Sequence, residues 1–225
     1  SRGLGDVYKR QEKIPGGIKS LDQLFAPANK GKIEVLSEMR DTVGIIMLAQ
    51  GVDVTKFTKD QFMNAVDFLA KKIKDGYIRQ VKGNDYKEDL ISGDAVAVIG
   101  WSGDVFQLAA ENDGKFDFAI PETGGMIASD NLIIPSTSTN VVNASKLINY
   151  YYDPAIAAKV AAYVNYVCPV EGAQAEMEKI DPTLAKSEYI FPTAKTSARL
   201  NIFRPLTAAE ETEFQTAFQT AAGNA

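Results

Sequence analysis

One segment constrains the fold of this chain more than any other. Ala95-Val-Ala-Val-Ile-Gly-Trp-Ser-Gly-Asp104 carries a short apolar strand, expected over Ala95 to Ile99, into a glycine-flanked turn. A helix is expected to follow from Val105 to Glu111. The turn presents the only tryptophan, Trp101, beside the Asp104 carboxylate at the C-terminal mouth of the strand. In open α/β sheets that mouth is where small ligands usually sit. An indole face attracts an organic cation and a carboxylate takes its N–H bonds. The competing reading is a core tryptophan with Asp104 capping the next helix.

The same alternation runs along the chain. Lys32 to Leu36 reads as a strand, Ser37 to Asp41 as a turn, and Thr42 to Gln50 as a buried helix stopped at Gly51. Thr58 with Gln61 forms a capping box, and Phe62, Ala65, Val66, Leu69 and Ile73 share one helical face that ends at Gly76. Strands are expected over Phe116 to Ile120 and Asn131 to Ile134, the latter stopped by Pro135. Helices are expected over Ala144 to Tyr151, from Asp153-Pro154 to Tyr166, and over Ala208 to Ala221 with Phe214 and Phe218 on one face. This order implies the α/β class with a mainly parallel sheet. Ser1 to Gln11 shows neither periodicity nor a signal pattern and reads as an unstructured or foreign leader.

Composition removes several kinds of chemistry. The chain has no histidine, which excludes Ser-His-Asp and Cys-His catalysis and histidine-ligated zinc. Cys168 is the only cysteine, so neither an intrachain disulfide nor a thiolate metal cluster can form, and beside Pro169 it reads as an inert thiol. A net charge of −5 opposes nucleic-acid binding, which wants a basic face. No apolar run reaches the roughly 18 to 20 residues that span a membrane.

Five blocks, taken in order, carry a family resemblance. They are Ser37-Glu-Met-Arg-Asp41, Ile99-Gly-Trp-Ser-Gly-Asp104 and Gly124-Gly-Met-Ile-Ala-Ser-Asp-Asn-Leu-Ile-Ile-Pro135, then Ala162-Tyr-Val-Asn-Tyr-Val-Cys-Pro-Val-Glu-Gly-Ala173 and Tyr189-Ile-Phe-Pro192. Over about residues 18 to 225 the chain resembles the spermidine/putrescine-binding proteins of ABC importers. The resemblance implies a type II periplasmic-binding-protein fold of two hinged lobes, with the first lobe incomplete in this chain because family members are longer at the N-terminus. It implies that residues 12–129 form most of the second lobe, 130–177 the remaining part of the first, and 178–225 the return. It further implies a monomer at the periplasmic or extracellular face of the membrane, working with the permease subunits of an importer and needing no cofactor and no metal. The export signal would lie outside this chain.

The family's ligand residues carry over by position. Trp101 matches an indole that packs on the polyamine methylenes, and Asp104 a carboxylate of the putrescine-preferring branch. Asp130 matches the carboxylate that clamps an ammonium, and Tyr166 an aromatic lining the same cleft. Asp41 stands where the family usually has glutamate, and Ala128 where it commonly has an aromatic. No match is assigned around Leu200 and Asn201.

These residue types suit a flexible apolar chain bearing ammonium groups. Each methylene gains roughly 0.8 kcal/mol on burial, and each charge needs a paired acceptor. Single residues have plainer readings: Asp41 as the N-cap of a helix at Thr42, Asp104 as the N-cap of the next, Tyr166 as core, Glu38 as solvated. Alternatives at this stage are the same fold binding another organic cation, an anion or a metal chelate. A hydrolase using Glu38 and Asp41 as a carboxylate pair and a polyamine-sensing module are two more.

Overall fold

The structure, a computed structural model, describes residues 5–10, 13–14 and 17–223, with the backbone alone in 5–10. It divides into a larger unit, Leu4–Ile127 with Arg199–Ala225, and a smaller one whose main part is Ala128–Ala198. The larger unit begins with β1 (Gly5–Arg10), α1 (Leu21–Leu24), β2 (Ile33–Leu36), α2 (Met39–Ala49) and α3 (Lys59–Lys74). It continues through β3 (Ile78–Lys82), α4 (Tyr86–Ser92), β4 (Ala97–Trp101), α5 (Ser102–Glu111), β5 (Phe116–Ala119) and β6 (Gly125–Met126). The smaller unit holds α6 (Val141–Tyr151), α7 (Pro154–Val164), α8 (Ala173–Ile180) and α9 (Ala194–Ser197), after which β7 (Leu200–Asn201) and α10 (Ala208–Ala222) rejoin the first.

The seven strands among the described residues form one sheet in the order β3-β2-β4-β1-β6-β7, with β5 also paired to β1. β2 runs parallel to both β3 and β4. Every residue of β2 and of β4 is buried, the burial that a continuous apolar run demands. The sheet is mixed rather than mainly parallel, because β1 is antiparallel to β4, β5 and β6. The opening segment is therefore not wholly an unstructured leader. Gly5–Arg10 fills a central place in the sheet although its sequence lacks the apolar alternation that marks a strand.

Helix α3 forms as its sequence dictates. Thr58 and Gln61 make the reciprocal capping box, and Phe62, Ala65, Val66, Leu69 and Ile73 are the buried face. α10 carries a second capping box, Thr207 with Glu210. The two helices meet through Phe62 and Phe214, whose rings stack at 4.0 Å and 9°. Phe57 and Phe203 extend this aromatic core.

Three expected boundaries move. α2 starts at Met39, so Asp41 sits in its first turn and is not the N-cap. α5 starts at Ser102 directly after β4, so Asp104 is likewise inside the helix. Asn131–Ile134 forms no strand: the backbone is irregular, with Leu132 68% and Ile133 82% exposed. The apolar run is present, but no described strand of the smaller unit pairs with it.

The smaller unit has a modest core of its own. Ala157, Ala158 and Ala161 of α7 pack on Ala173 and Met177 of α8, with Ala185 and Ile190. Asp153 caps α7 by accepting from the Ala155 and Ile156 amides, with Pro154 at the first helical position. The return to the larger unit falls at Arg199 rather than at residue 178. Residues beyond 178 stay with the smaller unit because Gln174 donates to the Ala185 carbonyl at 2.9 Å and the Cys168 amide to the Ile190 carbonyl at 2.9 Å.

The outgoing and returning segments run side by side within the larger sheet. β6 and β7 pair in parallel, Gly125 with Leu200 and Met126 with Asn201. Gly124 just before them has φ +106°, and a Cβ there would lie 2.9 Å from the Arg199 carbonyl oxygen. Glycine is required at that position on both counts.

One buried charge stands out in β2. Glu34 is fully buried, and Arg79 of β3 donates to its Oε1 at 3.0 Å. Among the described residues its Oε2 has no hydrogen-bond partner. Burial first, then the Asp89 carboxyl, push the Glu34 carboxyl up to about 7. Arg79 and Lys82 hold Asp89 charged. Between pH 4.5, the unperturbed value, and about 7 the folded chain keeps a proton on Glu34 that the unfolded chain releases. Stability from this group is complete below pH 4.5 and lost as pH rises through about 7. Glu34→Gln should flatten that dependence. Urea midpoints at pH 5 and pH 8 should show the parent losing on the order of 3 kcal/mol relative to the variant.

Candidate functional site

Adjacent parallel strands bring the first group of predicted residues together. β2 runs into α2, which carries Asp41, and β4 runs into α5, which carries Asp104. Because β2 and β4 are parallel neighbours, both strand ends open on the same edge of the sheet. There the Trp101 indole Nε1 donates to Asp41 Oδ2 at 3.0 Å. Trp101 and Asp41 are each 7% exposed. Asp41 thus orients the indole, a role that its sequence position as a candidate cap did not reveal.

Asp104 is equally buried and is bonded by residues that sequence reasoning missed. Tyr86 donates its hydroxyl to Asp104 Oδ2 at 2.7 Å and accepts from the Trp101 amide at 3.2 Å. Lys87 Nζ lies 3.5 Å from Asp104 Oδ1. Tyr86 and Lys87 open α4, a seven-residue helix ended by Gly93 at φ +91°. A glycine seven residues beyond Tyr86, with Leu90 between as the buried position, was the signal available in the sequence. The Tyr86 and Trp101 rings stand 6.4 Å apart at 56°. Glu38 is the N-cap of α2 and is exposed.

A second group lies in the smaller unit. Asp130 and Tyr166 line one cavity of about 560 Å³, together with Leu132, Tyr151, Tyr152 and Cys168. Tyr166 lies beyond α7, which ends at Val164 and is closed by Asn165 at φ +57°. Asp130 is exposed, as is Ala128 two residues before it. Burial pushes the Cys168 thiol up, so it stays protonated near neutral pH, in keeping with an inert cysteine. Burial raises the Tyr151 phenol as well. The wall is chiefly aromatic and aliphatic, with Asp130 as its one carboxylate. Among the described residues no group of three acidic, cysteine or histidine side chains is arranged to hold a metal. No described helix is long and apolar enough to cross a membrane.

An α/β unit interrupted by a second unit, with aromatic and acidic side chains at its strand ends, is an arrangement shared with solved periplasmic binding proteins. Residues 7–189 match the family model described as bacterial extracellular solute-binding protein, and the chain belongs to that family. It is 25% identical over 193 residues to the putrescine-binding periplasmic protein PotF of Escherichia coli, covering 81% of this chain and 51% of that relative. It is 26% identical over 210 residues to a putrescine/cadaverine-binding protein of Pseudomonas aeruginosa, covering 88% and 58%. The crystal structure of the spermidine/putrescine ABC transporter substrate-binding protein PotD from Streptococcus pneumoniae shares the fold, with a TM-score of 0.80 at 19% identity over 99% of this chain and 67% of that one. The chain spans about half the length of the curated relatives it matches.

The indole–carboxylate bond gives a direct test. Asp41→Ala leaves a buried indole N–H without its acceptor and should destabilise the chain by roughly 1–3 kcal/mol. Asp41→Asn retains an acceptor oxygen and should lose less. Urea unfolding followed by circular dichroism ranks the two variants against the parent.

Proposed function

We propose that this chain is the ligand-binding part of a protein that captures a polyamine, putrescine or spermidine, and delivers it to an ABC importer. One observation carries the reading. A tryptophan is fixed by a buried carboxylate at the strand ends, with a further carboxylate beside it. The smaller unit has an acidic and aromatic cavity of its own, lined by Asp130 and Tyr166. The names of the polyamine-binding relatives support the same ligand class.

In this reading Trp101 supplies an apolar plate for the methylene chain, worth roughly 0.8 kcal/mol for each CH₂ removed from water. Asp130 pairs with an ammonium group and Tyr166 walls the same end. Asp41 acts through the indole: it holds the plate in place and makes no ion pair with the ligand. Asp104 offers the second carboxylate. By family resemblance the ligand is held between two lobes, and its extra affinity for the closed form shifts the open–closed balance. The closed form then docks on permease subunits at the periplasmic or extracellular face of the membrane. No bond is made or broken.

Calorimetric titration with putrescine and spermidine tests the assignment, with glutamate and ionic-strength-matched sodium chloride as controls. Saturable heats are expected with the polyamines alone. Asp130→Ala should weaken binding at least tenfold, about 1.4 kcal/mol. Saturable binding of glutamate instead of polyamines, or affinity untouched by both Asp130→Ala and Trp101→Ala, would contradict the proposal.

A further inference from the structure

Both oxygens of Asp104 are taken by consecutive residues of α4. The Tyr86 hydroxyl holds Oδ2 at 2.7 Å and the Lys87 ammonium stands 3.5 Å from Oδ1. The two partners differ in access. The side chain of Asp104 is 10% exposed, whereas that of Lys87 is 33% exposed. The carboxylate is therefore inside and the cation stands at its mouth.

Helix formation alone does not account for a lysine here. Lys87 is in the first turn of α4, where the positive end of the helix favours anions, and its neighbours Glu88 and Asp89 follow that rule. The carboxylate of Asp104 is the nearby group that rewards a cation at this position. At 3.5 Å the pair is longer than a charge-assisted hydrogen bond, about 2.7–2.9 Å, and the lysine side chain is partly exposed. It is a contact that can be broken and remade.

We infer that Lys87 is a specificity-determining residue, a tethered ammonium that occupies the cation subsite of Asp104 and must be displaced before a ligand ammonium can enter. The inference rests on the polyamine reading of the site. A second ammonium arriving beside Lys87 would face like-charge repulsion within one shell of a nearly buried carboxylate, and Asp104 can neutralise only one of them. Displacement is feasible because the lysine stem is flexible and its side chain is a third exposed. Lys87 thereby acts against ligands that present a cation at this end, which is discrimination by an internal competitor.

Putrescine affinity measured by calorimetry on the full chain decides the matter. Lys87→Met and Lys87→Gln should each tighten putrescine binding about tenfold. Lys74→Met, which removes the same charge from an exposed position of α3, should change affinity less than twofold. Asp104→Asn should weaken binding about tenfold more in the Lys87→Met background than in the parent. Binding in the Lys87 variants alone, with none in the parent, would support the inference most strongly. If the parent binds and neither Lys87 variant binds more tightly, or if Lys74→Met tightens binding as much, Lys87 is not a competitor while the polyamine reading stands. If neither the parent nor any variant binds putrescine, both fall together.

Discussion

The parallel register of β2 and β4 is the constraint on which the candidate site depends. Ile33 pairs with Ala97 and Glu34 with Val98, so the two buried strands end at the same edge of the sheet. Helices α2 and α5 start there, and their first turns deliver Asp41 and Asp104 to the neighbourhood of Trp101. A slip of one residue would reverse the faces of β4 and move Trp101 away from Asp41. The bond between them is thus a product of sheet register, and Tyr86 adds a second tie by bonding both the Trp101 amide and Asp104.

Burial on both faces of these strands also explains why a charge in β2 is conspicuous. Glu34 is accommodated by holding a proton up to about pH 7 and by the cations of β3. Asp89, its carboxyl neighbour, belongs to the same short helix that presents Tyr86 and Lys87. α4 is consequently anchored by charge on one side and contributes to the site on the other. The smaller unit follows a different plan. Its core consists mainly of alanines and Met177, α6 buries none of its residues, and apolar side chains such as Leu132, Ile133 and Leu147 are exposed. All the described strands lie in the larger unit.

Legibility in the sequence tracked how local the determining physics was. The capping box at Thr58, the apolar face from Phe62 to Ile73 and the Phe214–Phe218 pair are short-range patterns, and the structure carries each as read. The strand expected over Ala95 to Ile99 was equally plain, because an apolar run needs no partner to be recognised, although it runs two residues later, from Ala97 to Trp101. Gly5–Arg10 was missed because its place between β4, β5 and β6 is a tertiary fact with no apolar alternation behind it. Asn131–Ile134 failed in the opposite sense: the composition suits a strand, but pairing requires a neighbour. In the site, Trp101 and Asp104 were read together from one turn, and Asp41 came only by family resemblance. The role of Asp41 as the indole's acceptor, and the engagement of Asp104 by Tyr86 and Lys87, depend on contacts across 60, 18 and 17 positions of sequence that no local pattern encodes. Asp130 and Tyr166 were assigned by resemblance alone; both line one cavity of the smaller unit, and their contact with a ligand is part of the proposal.

The central claim is that this chain recognises a polyamine through an aromatic plate and separate carboxylates. A crystal structure of the chain grown with putrescine tests it most directly. The account predicts methylenes against the Trp101 indole and an ammonium within hydrogen-bond distance of the Asp130 carboxylate. Putrescine bound elsewhere, with neither Trp101 nor Asp130 in contact, would contradict it.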